Sequence, residues 1–334
     1  MSNDLALSVK DLHTYFYTNK RCNKAVNGVS FDIRKGKTLG IVGESACGKS
    51  VTASSIMQLL PRLSRIEQGS ITYHSDRGEI RLDQLERNGP EMRAIRGEEI
   101  AMIFQDPMTA LNPVYTIGYQ IGEALKYHTD LDPQARKARV VEMLANMGIP
   151  SPEKRADEYP HQYSGGMRQR AMIAMAMSCN PKILIADEPT TALDVTIQAQ
   201  IFNLMNQLKQ QHGTAIMLIT HDMGVIAELA DEVAVMYMGK IVEAGRVDDV
   251  LRRPRHPYTR ALLDSIPVLG RGKNQDIKSI RGATPDAYDR PPGCQFAPRC
   301  DFASDACNVM PPEDQLTDTH RVMCHRHKEV FADE

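Results

Sequence analysis

The stretch "TLGIVGESACGKS", residues 38–50, decides the fold. Its first five residues make a short apolar run that fits a strand buried in a parallel sheet. The next eight match G-x-x-x-x-G-K-[ST] through Gly43, Gly48, Lys49 and Ser50. A strand that breaks at glycine and restarts as a helix turns backbone N–H groups and a helix N-terminus toward one point, which is a cradle for phosphate. Lys49 then neutralises β and γ oxygens, and the Ser50 hydroxyl is placed to ligate Mg²⁺. What the phosphate is for must be read from the rest of the chain.

The 334 residues hold one large domain and a smaller one with ample core. A net charge of -2 and an aromatic share of 5%, without tryptophan, argue against a nucleic-acid partner, which needs a basic face or stacking platforms. No run approaches the ~20 apolar residues of a membrane span. The opening "MSNDLALSV" lacks a basic segment before an apolar one, so the expectation is a cytosolic chain whose seven cysteines are not a disulfide framework.

Outward from the loop, "LALSVKDL" and "AVNGVSFDI" alternate as half-exposed antiparallel strands. "KSVTASSIMQLL" reads as a helix stopped by Pro61, and "EIAMIFQDP" as a strand ending in a turn. From about 110 to 180 the period turns helical, with an Asp-Pro start at 132–133. Buried strands return at "KILIADEP" and "AIMLITHD", separated by the helix "TIQAQIFNLMNQLKQQHG", and "EVAVMYMGKIVEAG" reads as a hairpin. The expected class is α/β: a P-loop nucleotide-binding domain over 1–252, with an antiparallel β subdomain and a helical insertion. From 253 to 334 proline and glycine rise, as in "RHPY", "GRGKN" and "RPPGC", marking a small loop-rich C-terminal domain.

"ILIADEP" supplies the second half of a nucleotide site. Asp187, at the strand end, meets Mg²⁺ through water, and Glu188 stands where a base polarises water for attack on the γ-phosphate. Small-molecule kinases share these parts. "YSGGM" (163–167) separates the readings: two glycines and a serine at a helix start form a second anion-reading motif, some 120 residues from the first. Such a motif makes sense if it serves another subunit's nucleotide.

With these motifs the sequence resembles the ATP-binding subunits of ABC transporters over most of its length. The resemblance makes Gly43, Glu44, Ser45, Ala46, Cys47, Gly48, Lys49, Ser50 and Val51 the nucleotide-binding loop, with Phe16 stacking on adenine although Tyr15 and Tyr17 flank it. It makes Ser164, Gly165 and Gly166 contacts to the partner's ATP, and Asp194 the coupling loop between the two sites. Gln105 becomes the sensor of Mg²⁺ and γ-phosphate that also meets the membrane subunits, and His221 the γ-phosphate switch. Ala46 departs from the family's usual glycine; a left-handed backbone there would cost about 1 kcal/mol. Cys47, at a helix N-terminus beside Lys49, is expected to have a lowered pKa.

"FQDPMTALNP", "YPHQYSGGMRQR", "ADEPTTALDVTIQAQI" and "RHPYTRALL" resemble the dipeptide/oligopeptide importers in particular. That implies a heterodimer with a second, non-identical ATPase, two permease subunits, an extracytoplasmic binding protein, and a place on the cytoplasmic face of the inner membrane. Nickel and glutathione importers share the motifs, so cargo stays open. A soluble ABC ATPase is disfavoured because the chain has neither a second cassette nor a coiled-coil insertion, and a small-molecule kinase by the signature motif and His221.

Cys294, Cys300, Cys307 and Cys324 crowd the C-terminal segment with spacing C-x5-C-x6-C-x16-C. In a segment poor in apolar residues a metal could supply the missing core. Zinc usually takes tighter knuckles, and a larger cluster suits wide gaps better. The resemblance points the same way, so a [4Fe–4S] cluster is expected there, with Zn²⁺ as the alternative. His320, His325 and His327 are expected to be surface residues rather than ligands.

Overall fold

Thr38–Val42 is buried at every position, as its composition requires, and pairs in parallel with Glu232–Tyr237. The computed structural model describes residues 4–18, 21–190, 193–266 and 280–330. The motif "GRGKN" and Thr191–Ala192, shortly before Asp194, lie outside the described residues. The chain packs as two units, each with its own core.

The first unit holds the described residues of Met1–Ala6, Ile33–Lys37 and Gln84–Leu218. Its central strands, Ile100–Ile103 and Ile183–Asp187, run parallel and are fully buried. Three helices account for the helical reading. Ile117–His128 starts at Thr116, whose hydroxyl accepts from Tyr119 N–H. Pro133–Asn146 starts at Asp132, whose carboxylate accepts from Gln134 and Ala135, so the Asp-Pro signal is a true cap. Gly165–Met177 follows with Ala171, Met172, Ile173, Ala174 and Met177 buried. Of its methionines, Met172 and Met177 are buried and Met167 and Met175 half-buried. The long helix Val195–His212 ends on Gly213 at φ 66, a left-handed stop.

The second unit holds Leu7–Asp32, Thr38–Asp83 and Ile219–Glu334, again over the described residues. Most of an antiparallel sheet lies here, in the strand order Arg21–Arg34, Leu5–Thr18, Ser64–Ser75, Gly78–Arg81. The helix after the phosphate loop covers Lys49–Ile56. It ends well before Pro61, because Gln58 adopts φ 52 and turns the chain first. Glu232–Tyr237 and Lys240–Arg246 form the expected hairpin. Arg321–Val322 then adds to its outer edge and Asp314–Gln315 pairs beyond it. The C-terminal segment therefore belongs to this unit's core.

That core has two parts. Tyr237, Tyr258, Phe296 and His256 pack ring on ring with centroids 4.6 to 5.9 Å apart. Beside them Glu243, 0% exposed, accepts from the backbone N–H of Arg255 (2.6 Å) and His256 (2.9 Å) and meets His320 Nε2 at 2.8 Å. His320 and His327 are buried, against the expectation of surface residues, because each is drawn into a partner: Glu243 for one, the Cys324 carbonyl and Asp314 for the other. Burial pushes His256 down to about 3, so it stays neutral and its Nδ1 accepts from Tyr258 N–H.

Candidate functional site

In the second unit the phosphate loop is fixed by its glycines. Gly48, the helix N-cap, sits at φ 108, and a Cβ there would stand 2.3 Å from the Ala25 carbonyl. At Gly43 a Cβ would meet the Met236 carbonyl at 2.1 Å. Ala46 adopts φ 62, so the alanine does occupy a left-handed position. Ser45 and Ala46 are exposed at the loop tip, Ser50 and Val51 are half-buried, and Lys49 is 6% exposed. The lysine lies back along the loop, with Nζ donating to the carbonyls of Gly43 (2.7 Å) and Glu44 (3.0 Å).

Cys47 corrects an expectation. It is buried, and desolvation raises its pKa, outweighing the Lys49 charge that lowers it. Sequence spacing showed the charge but not the burial.

Phe16 stands near the end of Leu5–Thr18 opposite Ser64 and is half-buried. Its neighbours are engaged elsewhere. The Tyr15 hydroxyl donates to Asn27 at 3.2 Å, and Tyr17 bonds Glu67 under the Arg65 guanidinium. His221 is exposed just after the buried strand Ala215–Thr220, and the next residue, Asp222, caps helix Met223–Leu229.

In the first unit Asp187 is 3% exposed at the end of its strand. Glu188 follows at φ 47, a left-handed conformation that a side chain with a Cβ adopts only when its surroundings hold it. Gln105 Nε2 donates to Glu188 Oε2 at 3.1 Å, so two residues 83 apart in sequence are brought into one constellation. The loop beyond Glu188 is pinned by Gln169 Nε2 on the Pro189 carbonyl (2.8 Å), which ties it to the helix that begins at Ser164. Ser164 caps that helix, its Oγ accepting from Met167 N–H; Ser164 and Gly165 are exposed and Gly166 half-buried. Asp194 is exposed and caps Val195–His212 by accepting from Ile197 N–H at 3.0 Å.

Two residues of the C-terminal segment reach the phosphate loop and were missed in the sequence. Arg299 forms a two-pronged pair with Glu44, at 2.6 and 2.9 Å, and the Tyr258 hydroxyl accepts from Glu44 N–H at 2.8 Å. The local sequence offers no more than an arginine beside Cys300, since Glu44 lies 255 residues away.

The metal site expected at Cys294, Cys300, Cys307 and Cys324 is corrected. The four line one small cavity. Yet among the described residues no three of histidine, cysteine, aspartate or glutamate are grouped to hold a metal ion. Burial pushes Cys300 and Cys324 up to about 11 and raises Cys294, and all seven cysteines are free. The premise of a missing core also fails, since the aromatic cluster and the Glu243 network supply one. Neither an iron–sulfur cluster nor zinc is retained.

A P-loop with its lysine, an Asp–Glu strand end and a capped Ser-Gly-Gly helix start define the ATP-binding cassette class. A model of the ABC transporter family matches residues 26–191, and one described as the oligopeptide/dipeptide transporter C-terminal region matches 242–307. The chain is 48% identical to the dipeptide transport ATP-binding protein DppD of Haemophilus influenzae, covering 96% of this chain and 94% of that one. It is 50% identical to DppD of Bacillus subtilis over 95% and 93%. Among solved structures, a dimeric ATP-binding cassette bound to ADP and phosphate in a post-hydrolysis state matches with TM-score 0.64 at 25% identity, covering 72% of this chain and 98% of that one. The chain belongs to the ABC transporter ATP-binding proteins and is an ATP-hydrolysing subunit of that family. The names of these relatives speak of ATP binding and peptide transport, none of iron–sulfur chemistry. No helix among the described residues is long and apolar enough to cross a membrane.

Proposed function

We propose that the chain energises import of dipeptides or oligopeptides across the cytoplasmic membrane, bound at the inner face to two permeases beside a second, non-identical ATPase, and fed by an extracytoplasmic binding protein. The near full-length identity of 48–50% to DppD proteins supports the cargo class. In this reading residues 1–252 act as the nucleotide-binding domain and 253–334 as a C-terminal domain.

The observation that carries the chemistry is the Gln105–Glu188 hydrogen bond beside Asp187. It leaves the Gln105 amide oxygen to face a cation and aims the Glu188 carboxylate for work on water. Ser50, Gln105 and Asp187 offer hard oxygen donors, the set Mg²⁺ takes, and the ion would neutralise β and γ oxygens. Gly43 to Val51 bind the phosphates, Phe16 stacks on adenine, and Glu188 polarises the attacking water while His221 holds the γ-phosphate. Ser164, Gly165 and Gly166 read the ATP held by the partner cassette, and Asp194 couples the two sites. Closure over ATP is the work step, passed to the permeases through the surface around Gln105, where Met108, Tyr115 and Tyr119 are exposed.

The test is uptake by proteoliposomes holding the four-subunit complex and its binding protein, with labelled dipeptide, nickel ion and glutathione compared. ATP-dependent dipeptide uptake alone supports the reading. Uptake of nickel or glutathione instead, or no association with permeases, defeats it.

A further inference from the structure

We propose that Arg299 is a positioning residue for ATP: with Tyr258 it clamps Glu44 and holds the phosphate loop in its binding conformation before nucleotide arrives. The proposal deepens the ATPase assignment and is independent of cargo. All the groups involved lie in the second unit.

The ion pair has the geometry of a fixed device. Both terminal nitrogens of Arg299 meet the two carboxylate oxygens of Glu44, at 2.6 and 2.9 Å. The Arg299 side chain is 4% exposed, and its Nε donates to the Arg281 carbonyl at 3.0 Å. Its guanidinium also lies 5.9 Å from the ring centres of both Tyr237 and Phe296. Thr284 adds a hydroxyl donor to the same carboxylate at 3.3 Å. A planar fork on a carboxylate fixes direction as well as distance, which a lone lysine does not.

Tyr258 grips the backbone of the same residue. Its ring is fully buried and its hydroxyl accepts from Glu44 N–H at 2.8 Å. Glu44 is therefore held by both side chain and main chain, one residue into the loop whose carbonyls seat Lys49. The far side of the loop is braced by the same segment. Arg290 donates to the Met238 carbonyl and, at 2.8 Å, to that of Lys24, next to the Ala25 carbonyl that abuts Gly48. Holding a flexible loop in its bound shape moves the ordering cost from binding to folding, so affinity gains while the chemical step is untouched.

The assay is steady-state ATP hydrolysis by the assembled transporter. Arg299→Met should raise KM for MgATP about tenfold while kcat at saturation stays within about twofold, the signature of lost uniform binding. Arg299→Lys, which keeps the charge but not the fork, should recover part of the loss. The double variant Glu44→Gln with Arg299→Met should be no worse than Arg299→Met alone, because one interaction is removed once. Arg252→Met breaks an exposed pair with Asp248 in the same unit and should leave KM unchanged. An unchanged KM in Arg299→Met, a loss confined to kcat, or multiplicative losses in the double variant overturns the proposal. Should Arg299→Met fail to assemble, Tyr258→Phe decides: it keeps the ring packing and removes the acceptor, and a KM raised about threefold supports the clamp while no change overturns it. Hydrolysis that survives Lys49→Ala would instead mean that the phosphate site itself is misread.

Discussion

At the scale of single residues, environment decides the chemistry. Glu188 is held at φ 47 with Gln105 bonded to its carboxylate, an arrangement that spends backbone strain on aiming one side chain. Glu188→Gln keeps shape and loses the base, so turnover in the assembled complex should fall by about 10²–10⁴ while ATP binding persists. Phosphate release and nucleotide binding measured side by side check both halves. Cys47 shows the opposite lesson. Its neighbour Lys49 favours the thiolate, but burial is the larger influence and raises the pKa. At pH 7 the folded thiol is thus protonated more fully than a free one, and only rising pH produces the reactive form. Iodoacetamide should label Cys47 more slowly than it labels glutathione at pH 7, with the rate climbing through pH 9. Mass spectrometry resolves the site, and labelling faster than glutathione would contradict the burial argument.

At the scale of elements, caps and turns carry function as well as stability. Gly48 begins its helix at φ 108 with the Ala25 carbonyl where a Cβ would be. Gly48→Ala meets both the left-handed penalty of about 1–2 kcal/mol and a backbone clash. It should lower the unfolding midpoint and abolish MgATP binding together, read by thermal melts and nucleotide titration. Asp194 both caps Val195–His212 and occupies the proposed coupling loop. Asp194→Ala should cost about 1 kcal/mol of stability, whereas Asp194→Ser keeps a capping oxygen and most of that stability. If the carboxylate itself couples the sites, both variants lose ATPase activity in the complex. If only the cap matters, the serine variant keeps it.

At the scale of the whole molecule, ATP binding and folding are linked. A ligand that binds only the folded chain at a hundred times its Kd stabilises it by about 2.7 kcal/mol. The Glu188→Gln chain should therefore melt higher with rising MgATP, and Lys49→Ala should not respond. A Lys49→Ala melt that tracks MgATP like the other would remove the phosphate loop from the linkage.

The sequence by itself determined the class of fold and the local elements that carry the candidate site residues. Strand, glycine loop and helix follow one another within thirteen residues at 38–50, and local chemistry suffices to read them. The same holds for the Asp187–Glu188 strand end, the Asp132 cap and the Ser164 helix start. The tertiary structure decided what depends on neighbours distant in the chain. Burial reversed the direction of the Cys47 shift and drew His320 into the core, because desolvation is a property of packing rather than of spacing. Four cysteines close in sequence looked like a substitute for a core, but Tyr237, Tyr258 and Phe296, up to 59 residues apart, had already built one. The Arg299–Glu44 pair spans 255 residues and has no local signature. A long-range ion pair leaves no period or motif in sequence, since only the folded chain brings its two charges within reach of each other.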